Sequence, residues 1–317
     1  MTKTLRKRLD NAMLPAAMTV GVLLYVILHY TPFFDEGPYM AAASFLQPVL
    51  ISLMLFLQFN KVAPSDLKPH RWQLKLVVLQ AVLFILFAVL AVVLRPASAS
   101  ISLLCECAML CFICPTASAA GVITSKLGGD LAGVITYTVF SCLLAAILIP
   151  LMIPLVYPSS GVSFIQALLP VARRVFSILV LPCVLAWLIR YTIPPLQAFF
   201  ARNAGVSFYI WGVSLALSMS LATKALVLSG VAFFVIVLMG VVSLLCCLFQ
   251  FRTGRRAARS YGRVESVSAG QALGQKNTGF IIWLGLTYMT PVTSLVGGLY
   301  AIWHNLVNSY ELVHNDA

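Results

Sequence analysis

The chain is 317 residues long, 61% hydrophobic and 9% charged, with a mean hydropathy of +0.98; a water-soluble core of this length could not cover so much apolar surface. A formal charge of +12 would point to nucleic acid in a soluble protein. Here the Lys and Arg residues sit in short stretches between apolar runs, as membrane-flanking residues do, and nothing is left over for a soluble catalytic domain.

Taken from the start, Met1 to Asp10 is basic like the head of a signal peptide. The apolar run that follows, Met13 to Tyr30, is too long for a signal core and has no small-residue cleavage site after it, so it reads as the first span. Runs of about 20 apolar residues, enough to cross a bilayer as helices, then recur along the chain. The predicted spans are 13–30, 40–59, 73–94, 100–127, 130–156, 164–191, 205–222, 229–250, 267–289 and 292–310, ten in all. The fold class is therefore an all-α polytopic membrane protein, a single unit over 1–317.

Loop charge orients it. One side holds Lys3, Arg6, Lys7 and Arg8, then Lys61, Lys68 and Arg71, then Arg190 and Arg202, and last Arg252, Arg255, Arg256, Arg259 and Arg263. The other holds Asp35, Glu36, Arg95, the Tyr157–Gly161 turn and Lys224. The bias predicts a cytoplasmic (inner) membrane with both termini inside. The one sizeable inner loop is Phe251–Ser266. Arg173 and Arg174 admit two placements: in an interfacial stretch, Ile165 to Arg174, or facing a cavity if the sixth span begins near Ser163.

All eight cysteines lie in apolar segments, so no disulfide framework is expected. Cys105, Cys107, Cys111 and Cys114 crowd one helix. Their plain reading is helix packing, and the alternative, a soft-metal site, lacks a spaced Cys/His partner.

Two spans differ from the rest. In the fourth, Pro115 stands among small residues from Cys114 to Gly121, and proline removes a backbone donor and breaks or kinks a helix. In the ninth, Gly270 to Gly279 brings Gln271, Gln275, Lys276 and Asn277 into a presumptive span around Gly274. Such polar groups are expensive in hydrocarbon unless they face a cavity. Pro115, Gly121 and Gly274 mark the expected breaks. With five spans on each side of the midpoint, the halves take opposite orientations, so 13–156 and 164–310 are predicted to be inverted repeats with a site where the discontinuous helices meet. Freed N–H groups there favour anions and freed carbonyls favour cations.

At these segments the chain resembles the bile acid:sodium symporter family. The resemblance is carried by Cys114-Pro115 with Ala119 and Thr124, by Gly129-Asp130, by Gly274 and Asn277-Thr278-Gly279, and by Pro291-Val292 leading to Trp303-His304-Asn305. It implies a panel of helices 1, 2, 6 and 7 moving against a core of helices 3, 4, 5, 8, 9 and 10, with helices 4 and 9 crossing. It suggests Ser118, Asn277, His304 and Asn305 as substrate contacts, joined by Gln275 and Lys276 of the polar ninth span. Among the family's sodium ligands, Gln80 and Thr138 are kept and Gln271 lies close to a ligand position. Ala120-Gly121 stands where the family has Ser-Asn, Val134 where it has a hydroxyl, Ala272 where it has a glutamate and Lys276 where it has a glutamine. A hard cation stripped of water needs oxygen ligands, preferably with a carboxylate, and a fixed ammonium repels it.

The expected function is alternating-access transport of a small organic anion, a carboxylate or bile-acid-like molecule, with sodium possible as a bound ion but poorly supported. The alternatives are a sodium-independent uniporter and a non-transporting sensor on the same scaffold. Lys276 is expected to pair with the anion or to act as a counter-charge that a proton adjusts, with Glu106 as its partner or as partner of Arg173 and Arg174. No catalytic constellation or cofactor loop is present in the sequence, so an enzyme is not expected. The expected partners are the lipid bilayer and the anion, with no nucleic acid.

Overall fold

Polar residues at the edges of the apolar runs set where the helices begin. Asp35 accepts from Gly37 N, Ser98 from Ile101 N, Asp130 from Ala132 N and Gly133 N, Ser163 from Gln166 N and Asn277 from Phe280 N. Each such cap satisfies backbone donors that a helix start leaves open.

The computed structural model describes residues 3–31, 35–158, 161–203 and 205–314. Its helices, in chain order, are α1 (Lys3–Tyr30), α2 (Glu36–Phe59), α3 (Arg71–Leu94), α4 (Ala99–Ile113), α5 (Ala120–Lys126), α6 (Leu131–Val156) and α7 (Phe164–Leu179), followed by α8 (Leu181–Thr192), α9 (Pro194–Arg202), α10 (Val206–Leu228), α11 (Phe233–Ala257), α12 (Arg263–Gly274), α13 (Thr278–Tyr288) and α14 (Pro291–His314). Five of them, α2, α3, α6, α10 and α11, are long and apolar enough to cross a bilayer alone, and α7 with α8 do so together across a 42° bend. The chain is an all-helical, polytopic integral membrane protein.

Several details differ from the sequence-based expectations. The predicted 164–191 span is bent at Val180, just before Pro182 of α8, where proline disturbs the helical ladder. The short α9, opened by Pro194 and Pro195, was not foreseen. The basic loop Phe251–Ser266 is mostly helix, because α11 runs to Ala257 and α12 starts at Arg263. Lys224 lies within α10 and pairs with Glu36 at 3.1 Å. The fourth span breaks between Ile113 and Ala120, and Gly121 already belongs to α5. The side chains of Lys3, Arg6, Lys7 and Arg8, and residues 159–160 of the predicted turn, lie outside the described residues.

Packing follows the rule for helices in lipid, where small residues let backbones approach. A Cβ at Gly21 of α1 would collide with the Ala216 carbonyl of α10, and one at Gly254 of α11 with the Ala269 carbonyl of α12. Both obstacles are backbone and cannot swing aside. Gly298 of α14 meets only ordinary contacts.

Gly254→Ala is therefore expected to destabilise by about 1–3 kcal/mol through overpacking. Gly298→Ala is expected to stabilise by about 0.5–1 kcal/mol through helix propensity. Thermal melting of the purified protein in detergent checks both signs.

Candidate functional site

The two breaks meet. Thr116 and Lys276 form an isolated antiparallel bridge, with Ala117 N donating to Gln275 O at 3.0 Å and Asn277 N donating to Pro115 O at 2.9 Å. Each interrupted helix thus supplies the backbone partners that the other has lost.

The carbonyls at the end of α4 are closed one after another. Leu110 O accepts from Cys114 N, and Cys111 O from Gln250 Nε2 at 3.3 Å. Phe112 O accepts from Lys276 Nζ at 3.5 Å, and Ile113 O and Cys114 O from Gln80 Nε2 at 3.2 and 3.4 Å. At the end of α12, Ala272 O accepts from Thr116 Oγ1 at 2.7 Å and Gly274 O from Tyr300 OH at 2.8 Å. A helix C-terminus carries partial negative charge, so an ammonium is favoured there.

The expected site residues divide into two groups. Pro115, Gly274, Gln275, Lys276, Asn277 and Gln80 come together at the junction. Lys276 is fully buried, and Gln80 also accepts from Tyr137 OH at 2.8 Å. Ser118 sits in the half-buried turn between α4 and α5. His304 is buried one turn from Tyr300, edge-on to its ring, with Nδ1 unpartnered.

The other group is drawn elsewhere. Asn305 Nδ2 bonds Ala301 O of its own helix at 2.7 Å. Thr138 donates to Val134 O and accepts from Gln58 Nε2. Gln275 Nε2 donates to Gln271 Oε1, and Gln271 Nε2 donates to Glu311 Oε2 at 2.6 Å. Glu311 in turn pairs with Arg255 at 2.6 Å, so this chain leads away from the junction. Gly121 leaves room for Leu131.

Glu106 pairs with neither Lys276 nor the two arginines. Its carboxylate accepts from Arg95 Nη2 at 3.1 Å, Tyr157 OH at 2.5 Å and Thr293 Oγ1 at 3.0 Å. The reason is depth: nine residues of helix separate Glu106 from Pro115, roughly 13 Å along the axis. The eight cysteines are buried and free. Among the described residues the one convergent group of ligand-type side chains is His70, Asp130 and Glu265. Asp130 is occupied capping α6, and Glu265 accepts from Trp72 Nε1 at 2.7 Å.

Sequence reasoning missed a polar seam beside the junction. Gln47 Nε2 of α2 donates to Ser218 Oγ of α10 at 2.5 Å, and a Cβ at Gly279 of α13 would stand 2.6 Å from that nitrogen. Gln47 Oε1 and Asn277 Nδ2 are buried without partners, an uncommon condition in a native structure. The signal available was a glutamine beside Pro48 in an otherwise apolar run. The α7 helix starts at Phe164, and the exposed Arg173 and Arg174 line a cavity of about 520 Å³ against Pro48 of α2.

The fold and the junction define an all-helical polytopic membrane protein in which two interrupted helices pair at their breaks. The sequence model of the Sodium Bile acid symporter family matches residues 48–237, more than half of the chain, and the chain belongs to that family. The comparison with curated proteins gives no match. The matched region includes the first break and ends before the second, so the account of Lys276 rests on the geometry above.

Tyr300→Phe would leave Gly274 O and Gln250 without a hydroxyl between α12 and α11. It is expected to cost about 1–3 kcal/mol, the range for orphaning a buried polar group, measured as a lowered melting temperature in detergent.

Proposed function

We propose that the protein is a secondary transporter of a small organic anion, working by alternating access, and that the ammonium of Lys276 takes the place of a coupling cation. In this reading the ten spans form two inverted five-helix repeats. The fourth and sixth spans are α4–α5 and α7–α8, and the ninth is α12–α13. The panel comprises α1, α2, α7–α8 and α10, and the remaining spans form the core. The order of the helices supports this arrangement, with one broken span on each side of α7–α8. Odd-numbered halves of this kind place a site at the meeting of the breaks.

The observation that carries the coupling part is the occupancy of the junction carbonyls. A sodium ion needs about five or six oxygens to offset its lost hydration. Here the carbonyls of Cys111, Phe112, Ile113, Cys114, Ala272 and Gly274 already accept from protein donors. One of those donors is itself a cation, and no carboxylate approaches within bonding distance of it among the described residues. The donor set does not fit sodium. The unpartnered Asn277 Nδ2 and Gln47 Oε1 lie along the seam between proposed panel and core, where domain movement would expose them.

Counterflow in proteoliposomes with a panel of carboxylates tests the reading. Wild-type transport is expected to be equal in sodium and potassium media. Lys276→Gln is expected to lower it about tenfold or more, as removal of one buried charge contact does, with sodium partly restoring the variant. Strict sodium dependence of the wild type would overturn the proposal.

A further inference from the structure

The α7 helix carries a polar stripe through an apolar span. Gln166, Arg173, Arg174 and Ser177 recur at helical spacing, while Val171, Val175, Ile178 and Leu179 are buried on the opposing side. Arg173 lies roughly 14 Å beyond the start of the helix, well inside a bent helix pair that is apolar enough to cross a membrane. A lysine or arginine near a helix end reaches the interface by snorkelling, but these two sit well inside the helix. Charges at such depth occur where they face water or a ligand.

The place they face is defined on three sides. Pro48 of α2 stands opposite Leu169, Pro170, Arg173, Arg174 and Ser177 around the cavity of about 520 Å³. From the third side, the guanidinium of Arg174 lies 5.9 Å from the ring centroid of Trp283 in α13, the helix that starts at the second break. Its size is typical of small-molecule sites, about 300–1,000 Å³.

No carboxylate pairs with either charge among the described residues, and Arg174 meets the Tyr288 hydroxyl and the Trp283 ring instead. Every ion pair among the described residues uses Glu36, Glu106 or Glu311, and none reaches Arg173 or Arg174. Both side chains are exposed to the cavity mouth, and adjacent guanidinium groups repel each other. An oxyanion bridging them offsets that repulsion, and the planar donor fork of arginine matches a carboxylate bidentately. The apolar walls, Leu169, Pro170 and Pro48, suit a hydrocarbon body.

We propose that this cavity is the anion-recognition site of the carrier, in which Arg173 and Arg174 hold the carboxylate of an amphipathic organic acid while its apolar part lies against α2 and α7. The proposal deepens the transport reading and rests on it. It separates recognition of the anion, at α7, from the buried charge at the junction, which is sealed from any ligand in this conformation.

An anionic phospholipid headgroup presents the same chemistry, so the test separates the two sources. The full-length protein in nanodiscs of neutral phosphatidylcholine is titrated by calorimetry with potassium cholate, potassium benzoate and potassium succinate. At least one is expected to bind. Arg173→Gln/Arg174→Gln is expected to weaken that binding by about thirtyfold or more, as loss of two charged contacts to one carboxylate does. Arg173→Lys/Arg174→Lys, which keeps the charge without the fork, is expected to weaken it about tenfold and guards against misfolding of the neutral variant. The exposed Arg202→Gln leaves it unchanged.

Failure of all three acids to bind wild type overturns the proposal, as does equal binding by the double glutamine variant. Arginine-dependent binding of phosphatidylglycerol with no response to the acids assigns the cavity to lipid and overturns it as well. Counterflow run alongside keeps the two readings apart. Arginine-dependent binding without transport sinks the carrier and spares the site. Transport undiminished in the double variant sinks the site and spares the carrier.

Discussion

A backbone amide or carbonyl freed inside a bilayer has no water to turn to, and each unsatisfied group costs several kcal/mol. Two spans of this protein are interrupted by Pro115 and after Gly274, and much of the surrounding architecture answers that constraint. The breaks pair with each other through Ala117–Gln275 and Asn277–Pro115. The remaining carbonyls draw side-chain donors from five positions: Gln80 on α3, Gln250 on α11, Tyr300 on α14, Thr116 within the first break and Lys276 within the second. These contacts tie α3, α4, α11, α12 and α14 to one point. The glycine crossing at Gly254 and Ala269 brings α11 and α12 close enough to take part.

The same accounting separates what the interior does with charge. Glu106 is held by Arg95, Tyr157 and Thr293 away from the breaks, a neutral cluster that staples α4 and α14 to the ends of α3 and α6. Lys276 faces a helix C-terminus whose partial charge offsets part of its own. Among the described residues, no carboxylate pairs with Arg173 or Arg174. Both line a cavity, and aromatic side chains, Trp283 and Tyr288, meet Arg174, which is why recognition of a mobile anion is assigned to them and not to the buried lysine.

How much of this was legible depended on whether the cause was local. Pro115 and Gly274 could be seen because proline, glycine and a run of amides act on their own helix, and both mark breaks. Gly121 was misread because smallness alone does not break a helix; its missing Cβ makes room for Leu131. The bend before Pro182 and the helix opened by Pro194 had visible signals that the apolar run obscured. Gln250, Tyr300 and Thr116 could not be found, since a lone polar residue in an apolar span looks the same whether it packs or closes a distant carbonyl. The partners of Glu106 and Gln271 were hidden for the same reason: Arg95, Tyr157 and Glu311 are brought to them by tertiary contact.

On the proposed reading, a fixed ammonium in place of a coupling ion has an energetic consequence. A monoanion carried alone moves one uncompensated charge, and the membrane potential weighs each such charge at about 2.3 kcal/mol per 100 mV. With the interior negative, that term opposes uptake and favours exit. A carrier built this way accumulates its anion only against the field, by proton movement or exchange for a second anion, and otherwise releases it. A sodium-loaded relative meets the same field with cations that offset the charge of the anion. Lys276 travels with the protein and contributes no net charge transfer of its own unless it gains and loses a proton during the cycle. The residue that makes sodium unnecessary at the junction therefore also removes the inward drive that sodium would supply.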